Sequence, residues 1–489
     1  MSDADREQAL VASVSTNLLI GGTWREATGG RRFAVEDPST GQTLTEVADG
    51  TPEDALAALD AAVAAQESWA ATPPRQRGEI LRRTYELLVE RREDFALLMS
   101  LEMGKSLSDS RAEVAYAADF LRWFSEEAVR IDGRYTVSPA GGARLLVMRQ
   151  AVGPCLLITP WNFPIAMGTR KLGPAIAAGC TMVCKPAALT PLSMLALAGV
   201  LMEAGLPPGV LNIVTTSTAG KVTGPVIADP RLRKLSFTGS TPVGKELIKL
   251  SADNVLKVSM ELGGNAPFVV FDDADLDAAI DGAVIAKMRN IGEACTAANR
   301  FLVHQSLADE FARRLADRLA SMKIGRGSEE GTEVGPLITG QERAKVAALV
   351  DGALAHGAKA LTGGHPLDGP GYFYAPTVLT GVSRDDPILR EEIFGPVAPV
   401  VSFDRDEEAV AAANDTEYGL VSYVYTQGLD RALRVVEGLQ TGMVGLNQGL
   451  VSNPAAPFGG VKQSGIGREG GLEGIDEYLE TKYVAVKLG

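Results

Sequence analysis

Residues 150–220 constrain this chain most, because only Arg170, Lys171, Lys185 and Glu203 carry charge there. A stretch so apolar must leave water, either in a bilayer or in a protein interior. Its longest uncharged piece, 150–169, contains Pro154, Pro160 and Pro164. Prolines spaced this way would leave backbone carbonyls unsatisfied in lipid. A buried sheet covered by helices is the better reading, since strands buried on both faces read as continuous apolar runs.

The punctuation of the stretch agrees. Residues 154–159 and 181–185 read as short buried strands. Residues 165–178 and 192–204 read as helices that stop at Gly179 and Gly205. Further strands are expected at 211–214, 234–237 and 255–262. Strand and helix alternate, which predicts a doubly wound, parallel α/β sheet. Upstream, Thr51-Pro52-Glu53-Asp54 opens an Ala-rich helix with a cap, a first-turn proline and acids at the positive helix end. Helical pattern continues, with breaks, to about residue 131. Residues 133–150 read as a hairpin turning at Gly141-Gly142. After Phe271 a second α/β alternation begins, with a helix from Asp275, a strand at 300–303 and a helix from Ala308, and it runs to about residue 450. Two α/β blocks imply a ligand cleft between them.

At 489 residues the chain has room for roughly two to four domains. Its formal net charge of −14 argues against a nucleic-acid or anionic-membrane partner. The N-terminal segment MSDADREQAL has neither a basic n-region nor an apolar h-region, so a cytoplasmic protein is expected. Four Cys and three His exclude a disulfide framework and leave few soft-metal ligands, so no metal is expected. Cys155, Cys180 and Cys184 sit in or beside apolar strands and read as small buried hydrophobes. Cys295 lies in a small-residue loop, 290–296, where a substrate could reach a thiol. A cysteine hydrolase would need a histidine base. His304, His356 and His365 sit in no recognisable catalytic motif and read as surface or satisfied histidines. Residues 235–244 form a strand, a Gly239 turn and a helix start, whose free amides suit a pyrophosphate. Lys185, at a strand end, suits ribose hydroxyls or a phosphate.

Several segments, taken in order, carry a family resemblance: Thr159-Pro160-Trp161-Asn162-Phe163-Pro164, Lys185-Pro186-Ala187, Phe237-Thr238-Gly239-Ser240, Met260-Glu261-Leu262-Gly263-Gly264-Asn265, Cys295, and Glu391-Glu392-Ile393-Phe394-Gly395-Pro396. Over nearly its whole length the chain resembles the aldehyde dehydrogenase superfamily. The resemblance implies that Cys295 is the nucleophile, that Asn162 and the Cys295 amide form the oxyanion hole, and that Glu261 is the base for thioester hydrolysis. Glu261 would swing on its glycine-rich segment. CoA-acylating relatives dispense with this Glu, so a free acid product is expected. The implied cofactor contacts are Trp161, Lys185, Ala188, Gly239, Ser240, Leu262, Glu392 and Phe394. Ala188 stands where NAD-preferring relatives often carry Glu, which tilts the expectation toward NADP with NAD possible.

Thr169-Arg170-Lys171, Arg289-Asn290 and Val451-Ser452-Asn453 make the chain similar to the succinate-semialdehyde dehydrogenase branch. In that branch the residues matching Arg170, Arg289 and Ser452 hold the substrate carboxylate. Arginine suits such a bidentate task. The branch's second Cys is absent, since Ala297 stands there, and Glu293-Ala294 replaces the common Gln-Thr. Glu293 would raise the thiol pKa if it points inward. Glutarate semialdehyde or another aldehyde is the alternative substrate, and a non-catalytic binding or structural protein is the alternative of another class. The implied architecture is a Rossmann-like cofactor domain (1–132 and 151–262), an α/β catalytic domain (263–455) and a small β oligomerisation element (133–150 and 471–489). The last suits a homodimer or homotetramer.

Overall fold

The computed structural model describes residues 3–487. The outermost residues of the first and last spans assigned from sequence, 1–2 and 488–489, lie outside the described residues. An eight-stranded sheet runs, edge to edge, Gly465–Ile466, Lys257–Glu261, Lys234–Thr238, Cys155–Ile158, Met182–Lys185, Leu211–Ile213, Leu18–Ile20, Thr23–Arg25. The strands from Lys257–Glu261 to Leu211–Ile213 are mutually parallel. From Cys155–Ile158 the chain first winds outward through Met182–Lys185 to Leu211–Ile213. It then returns to place Lys234–Thr238 on the other side. That reversal opens a crevice beyond the carboxyl ends of Cys155–Ile158 and Lys234–Thr238, the place where α/β sheets take ligands.

The apolar stretch is buried as sheet and covering helix. Every residue of the helix Ala166–Ala178 is buried, and it ends at Gly179 with φ 89°. Its first turn has no local cap. Glu113 supplies one from another helix, its Oε1 accepting from the Ile165 and Ala166 amides at 3.0 and 3.1 Å. Glu102 does the same for Leu192–Glu203, accepting from Leu192 at 2.7 Å and Ser193 at 2.9 Å. Helix Pro52–Ala71 has the expected cap, a reciprocal box between Thr51 and Asp54. The expected strand at 255–262 is shorter, Lys257–Glu261. Val255 is 88% exposed with φ 48°, so it belongs to the turn before the strand.

A second sheet runs Lys359–Thr362, Thr377–Thr380, Val397–Phe403, Ala298–His304, Ala266–Val270, Val421–Tyr425, Met443–Leu446. It is parallel except for its first edge strand. Phe268 anchors its core, stacked on Tyr425 with ring centroids 5.0 Å apart. The hairpin Arg134–Val137 and Ala143–Ala151 turns at Gly141 and Gly142, both at positive φ. The chain's last strand, Leu479–Lys487, pairs antiparallel along all of Ala143–Ala151. Among the described residues no helix is long and apolar enough to cross a membrane.

Candidate active site

A cavity of about 170 Å³ lies at the crevice. Pro160, Trp161 and Asn162 enter it from the end of one central strand, and Thr238, Gly239 and Ser240 from the end of its neighbour. Cys295, Glu392 and Phe394 approach from the second sheet's side. The expected cleft between two α/β blocks is therefore present, and the thiol is in it.

The loop carrying Cys295 is conformationally strained. Asn290 and Ile291 have φ 53° and 62°, and Gly292 has φ 79°. Left-handed geometry at a β-branched residue is costly and marks sites where the surroundings impose the conformation. The Asn290 side chain locks the turn, its Nδ2 donating to the carbonyls of Glu293 at 2.8 Å and Asn162 at 3.0 Å. Gly264 lets the loop come close, because a Cβ there would sit 2.6 Å from the Cys295 carbonyl oxygen. Burial pushes the Cys295 thiol up to about 12, with the charges of Glu392 and Glu261 adding to the rise while Arg170 and Arg289 oppose it. Glu293 is buried, and its Oε1 accepts from the Ile338 amide at 3.1 Å.

Asn162 is buried beside the thiol in the same cavity. Its Nδ2 donates to the Glu293 carbonyl at 3.0 Å, and a primary amide keeps a second N–H for another acceptor. Lys105 holds its backbone, donating to the Asn162 carbonyl at 2.8 Å and pairing with buried Glu113.

Glu261 ends the strand Lys257–Glu261 and is 3% exposed. Burial, reinforced by the charge of Glu469, holds its carboxyl well above the usual range, and its Oε2 has no partner. The expected swing on a flexible glycine segment is corrected here. Gly263 N donates to Thr241 Oγ1 at 3.2 Å, Gly264 N to Glu392 Oε1 at 3.0 Å, and Ser464 Oγ to the Gly263 carbonyl at 2.7 Å. The backbone is pinned, so any movement of Glu261 belongs to its side chain. The glycines serve close approach instead. At Gly459 a Cβ would crowd the Glu261 carboxylate at 2.9 Å.

Arg170 is fully buried, not a helix-surface residue. Its Nε binds Glu469, its guanidinium lies 4.0 Å from the Phe458 ring centroid, and its Nη1 and Nη2 have no partner. Arg289 Nη1 donates to Ser452 Oγ at 3.1 Å, and its guanidinium lies 4.9 Å from the Phe163 ring centroid. The structure thus pairs Arg289 with Ser452 directly, and both Arg170 and Arg289 act on the Cys295 thiol.

The cofactor end holds polar atoms without partners. Lys185 is 7% exposed, and its ammonium has no hydrogen-bond or ion-pair partner among the described residues. Burial lowers its pKa to about 8. Thr238 Oγ1 is buried without a partner. The helix Thr241–Ser251 begins at Ser240 with no side-chain cap. These groups lack polar partners, and a nucleotide has the hydroxyl and phosphate oxygens to satisfy them. Ala188 is half-buried beyond Lys185, and Leu262 is buried. Trp161 and Phe394 meet edge to face at 5.4 Å. The site's residues fit a dinucleotide.

Sequence reasoning missed Tyr116, Glu469 and Lys105. Each reaches the site from a distant helix or loop, and no local motif announces it. The histidines lie elsewhere: His304 caps the following helix, His356 pairs with Asp386 at 2.9 Å, and His365 contacts the Gly363 carbonyl. Among the described residues no group of three or more His, Cys, Asp or Glu could hold a metal ion.

Comparison with known proteins agrees with this geometry. The aldehyde dehydrogenase family model matches residues 24–484. The chain belongs to the aldehyde dehydrogenase family. It is 60% identical to the succinate-semialdehyde dehydrogenase of Paenarthrobacter nicotinovorans over 91% of this chain and 98% of that one. It is 48% identical to the glutarate-semialdehyde dehydrogenase of Pseudomonas putida over 96% and 97%. With the NADP(+) succinate-semialdehyde dehydrogenase of Escherichia coli K12 it shares 46% identity over 96% and 97%. The solved succinate-semialdehyde dehydrogenase of Burkholderia pseudomallei superimposes with a TM-score of 0.96 at 46% identity, covering 98% of this chain and 99% of that one. The enzyme's cofactor is a pyridine nucleotide.

Proposed function

We propose that this enzyme oxidises succinate semialdehyde to succinate, with NADP favoured over NAD. The observation that carries the reading is the buried Arg170 with two unpartnered guanidinium nitrogens, close enough to the Cys295 thiol to act on it. A buried cation without a counter-ion at its open end calls for an anionic substrate.

The Cys295 thiol gives up its proton to solvent water, its Sγ adds to the aldehyde carbon, and the carbonyl oxygen takes up charge. The free N–H of Asn162 and the Cys295 amide steady that oxygen. The nicotinamide cofactor, when bound, supplies the hydride acceptor. Loss of the hydride leaves a thioester on Cys295. Glu261 takes a proton from water, whose oxygen attacks the thioester carbon, and the C–S bond breaks to release the acid. Burial keeps Glu261 a stronger base than an ordinary carboxylate, which suits that task. Trp161, Lys185, Ala188, Gly239, Ser240, Leu262, Glu392 and Phe394 are the side of the site we assign to the cofactor. Lys185 would meet ribose or phosphate oxygens, and Ala188 leaves a 2′-phosphate unopposed. Arg170, Arg289 and Ser452 are assigned to the substrate carboxylate.

We assign 1–132 with 151–262 to cofactor binding, 263–455 to catalysis, and 133–150 with 471–489 to homo-oligomer formation. The unpaired cysteines fit a reducing cytoplasm. Glutarate semialdehyde is the second reading, supported by the 48% identical relative of that name. One methylene is worth only ~1–3 kcal/mol of discrimination, so both substrates can turn over. The test is kcat/KM for succinate semialdehyde, glutarate semialdehyde and hexanal with each cofactor. Arg289→Ala should cost ~2–5 kcal/mol with the semialdehydes and far less with hexanal. Equal loss on all three aldehydes would remove the carboxylate role.

A further inference from the structure

Around Arg170 and Arg289 the protein presents donors and withholds acceptors. Arg170 has two free guanidinium nitrogens, because Glu469 engages only its Nε and otherwise serves Lys171. Arg289 is held by Ser452 and lies over Phe163. Tyr116, on the helix Leu107–Glu127, completes the group. Its phenol oxygen is buried and has no hydrogen-bond partner. Its ring lies 5.7 Å from the Arg289 guanidinium and packs edge-on against Phe120 at 4.8 Å, which fixes the direction of the hydroxyl. The charges of Arg170 and Arg289 both act on the phenol, and the Arg170 guanidinium and the Ser452 hydroxyl approach it too, though neither makes a well-formed hydrogen bond with it.

A buried hydroxyl without a partner is costly, and interiors rarely tolerate one. Arginine cannot accept a hydrogen bond, so neither neighbouring cation can satisfy the phenol proton. The Ser452 hydroxyl also acts on the phenol but already accepts from Arg289, so the group is short of acceptors, and a carboxylate has two oxygens to share among these donors. We infer that Tyr116 is a specificity-determining residue whose phenol donates to the substrate's ω-carboxylate beside Arg170, Arg289 and Ser452. This inference rests on the semialdehyde reading above. Burial also pushes the phenol's pKa up, so it stays protonated, and a donor, through the neutral range.

Tyr116→Phe keeps the ring beneath Arg289 and removes only the hydroxyl. KM for succinate semialdehyde should rise about ten- to a hundredfold, the usual cost of a hydrogen bond to a charged group. Its kcat should change little, and KM for hexanal should stay as in the wild type. Succinate, as an inhibitor competing with the aldehyde, should weaken by the same factor. An unmoved succinate inhibition constant, or an equal loss with hexanal, overturns the role of Tyr116. A wild-type enzyme that does not prefer the semialdehyde to hexanal overturns the parent reading, and this inference with it. Those two failures are read from different enzymes.

Discussion

Lys185 shows how a single residue's surroundings set its chemistry. Removal from water lowers its pKa to about 8, and no nearby carboxylate restores it. Below pH 8 the ammonium is charged, and above it the charge is lost. Attraction for nucleotide oxygens should therefore be strongest at neutral pH and fade as the pH rises through about 8. Bound phosphate would itself favour the charged form and move the midpoint upward. In a fluorescence titration, the NADP dissociation constant should climb above pH 8, by at most about tenfold per pH unit. Lys185→Met should bind weakly and show no such limb. A wild-type affinity flat from pH 6.5 to 9.5 would remove Lys185 from the cofactor contacts. Residues of this kind were legible from sequence because short motifs carry them. Tyr116 and Glu469 were not: Glu469 meets Arg170 across a separation of 299 residues, and only packing brings them together.

Among the elements, the Cys295 loop is where local preference and tertiary demand conflict. Nothing in Asn290-Ile291-Gly292 advertises two left-handed non-glycine residues, so the strain could not be read in advance. The backing of the loop explains it. At Gly292 a Cβ would stand 2.3 Å from the Gly395 carbonyl oxygen, next to Phe394, itself at φ 56°. The thiol's loop and the Phe394 loop are thus pressed together backbone to backbone. Gly292→Ala adds both a clash and an unfavourable φ, and should destabilise the fold by ~1–3 kcal/mol. Thermal melting should fall, and activity should fall further than melting explains, because the thiol moves with its loop. Unchanged activity would mean that the strain does not position Cys295. Strands and helices ruled by apolar runs and by Gly179 or Thr51 were legible, since those signals are local. The remote caps Glu102 and Glu113 were invisible, since a carboxylate on one helix capping another leaves no spacing to detect.

At the scale of the whole molecule, the net charge of −14 coexists with buried cations at Arg170, Lys171 and Lys185 and a half-buried one at Arg289. The net charge describes the exterior and says nothing of these local cations, of which Lys171 is already paired with Glu469. The molecule's unfinished part is its three-stranded sheet. Both of its outer strands, Arg134–Val137 and Leu479–Lys487, lack a further partner among the described residues. Tyr135, Val137 and Tyr483 on these strands are 65%, 57% and 59% exposed. An apolar edge left open invites pairing, which natural proteins block or use. Lys482 and Lys487 lie on the opposite edge strand from Tyr135 and Val137, so they do not guard that edge, and its use as an interface follows. The chain should sediment as a homodimer or homotetramer at micromolar concentration. Replacing Tyr135 and Val137 together by Lys removes apolar contact and sets like charges against each other wherever copies meet. The double variant should dissociate at a concentration about tenfold higher or more, as for loss of an interface anchor. Its far-ultraviolet spectrum should not change, because both side chains point to solvent in the single chain. A wild-type chain that sediments as a monomer would leave the exposed edge without the role assigned to it. A double variant as tightly associated as the wild type would move the interface elsewhere.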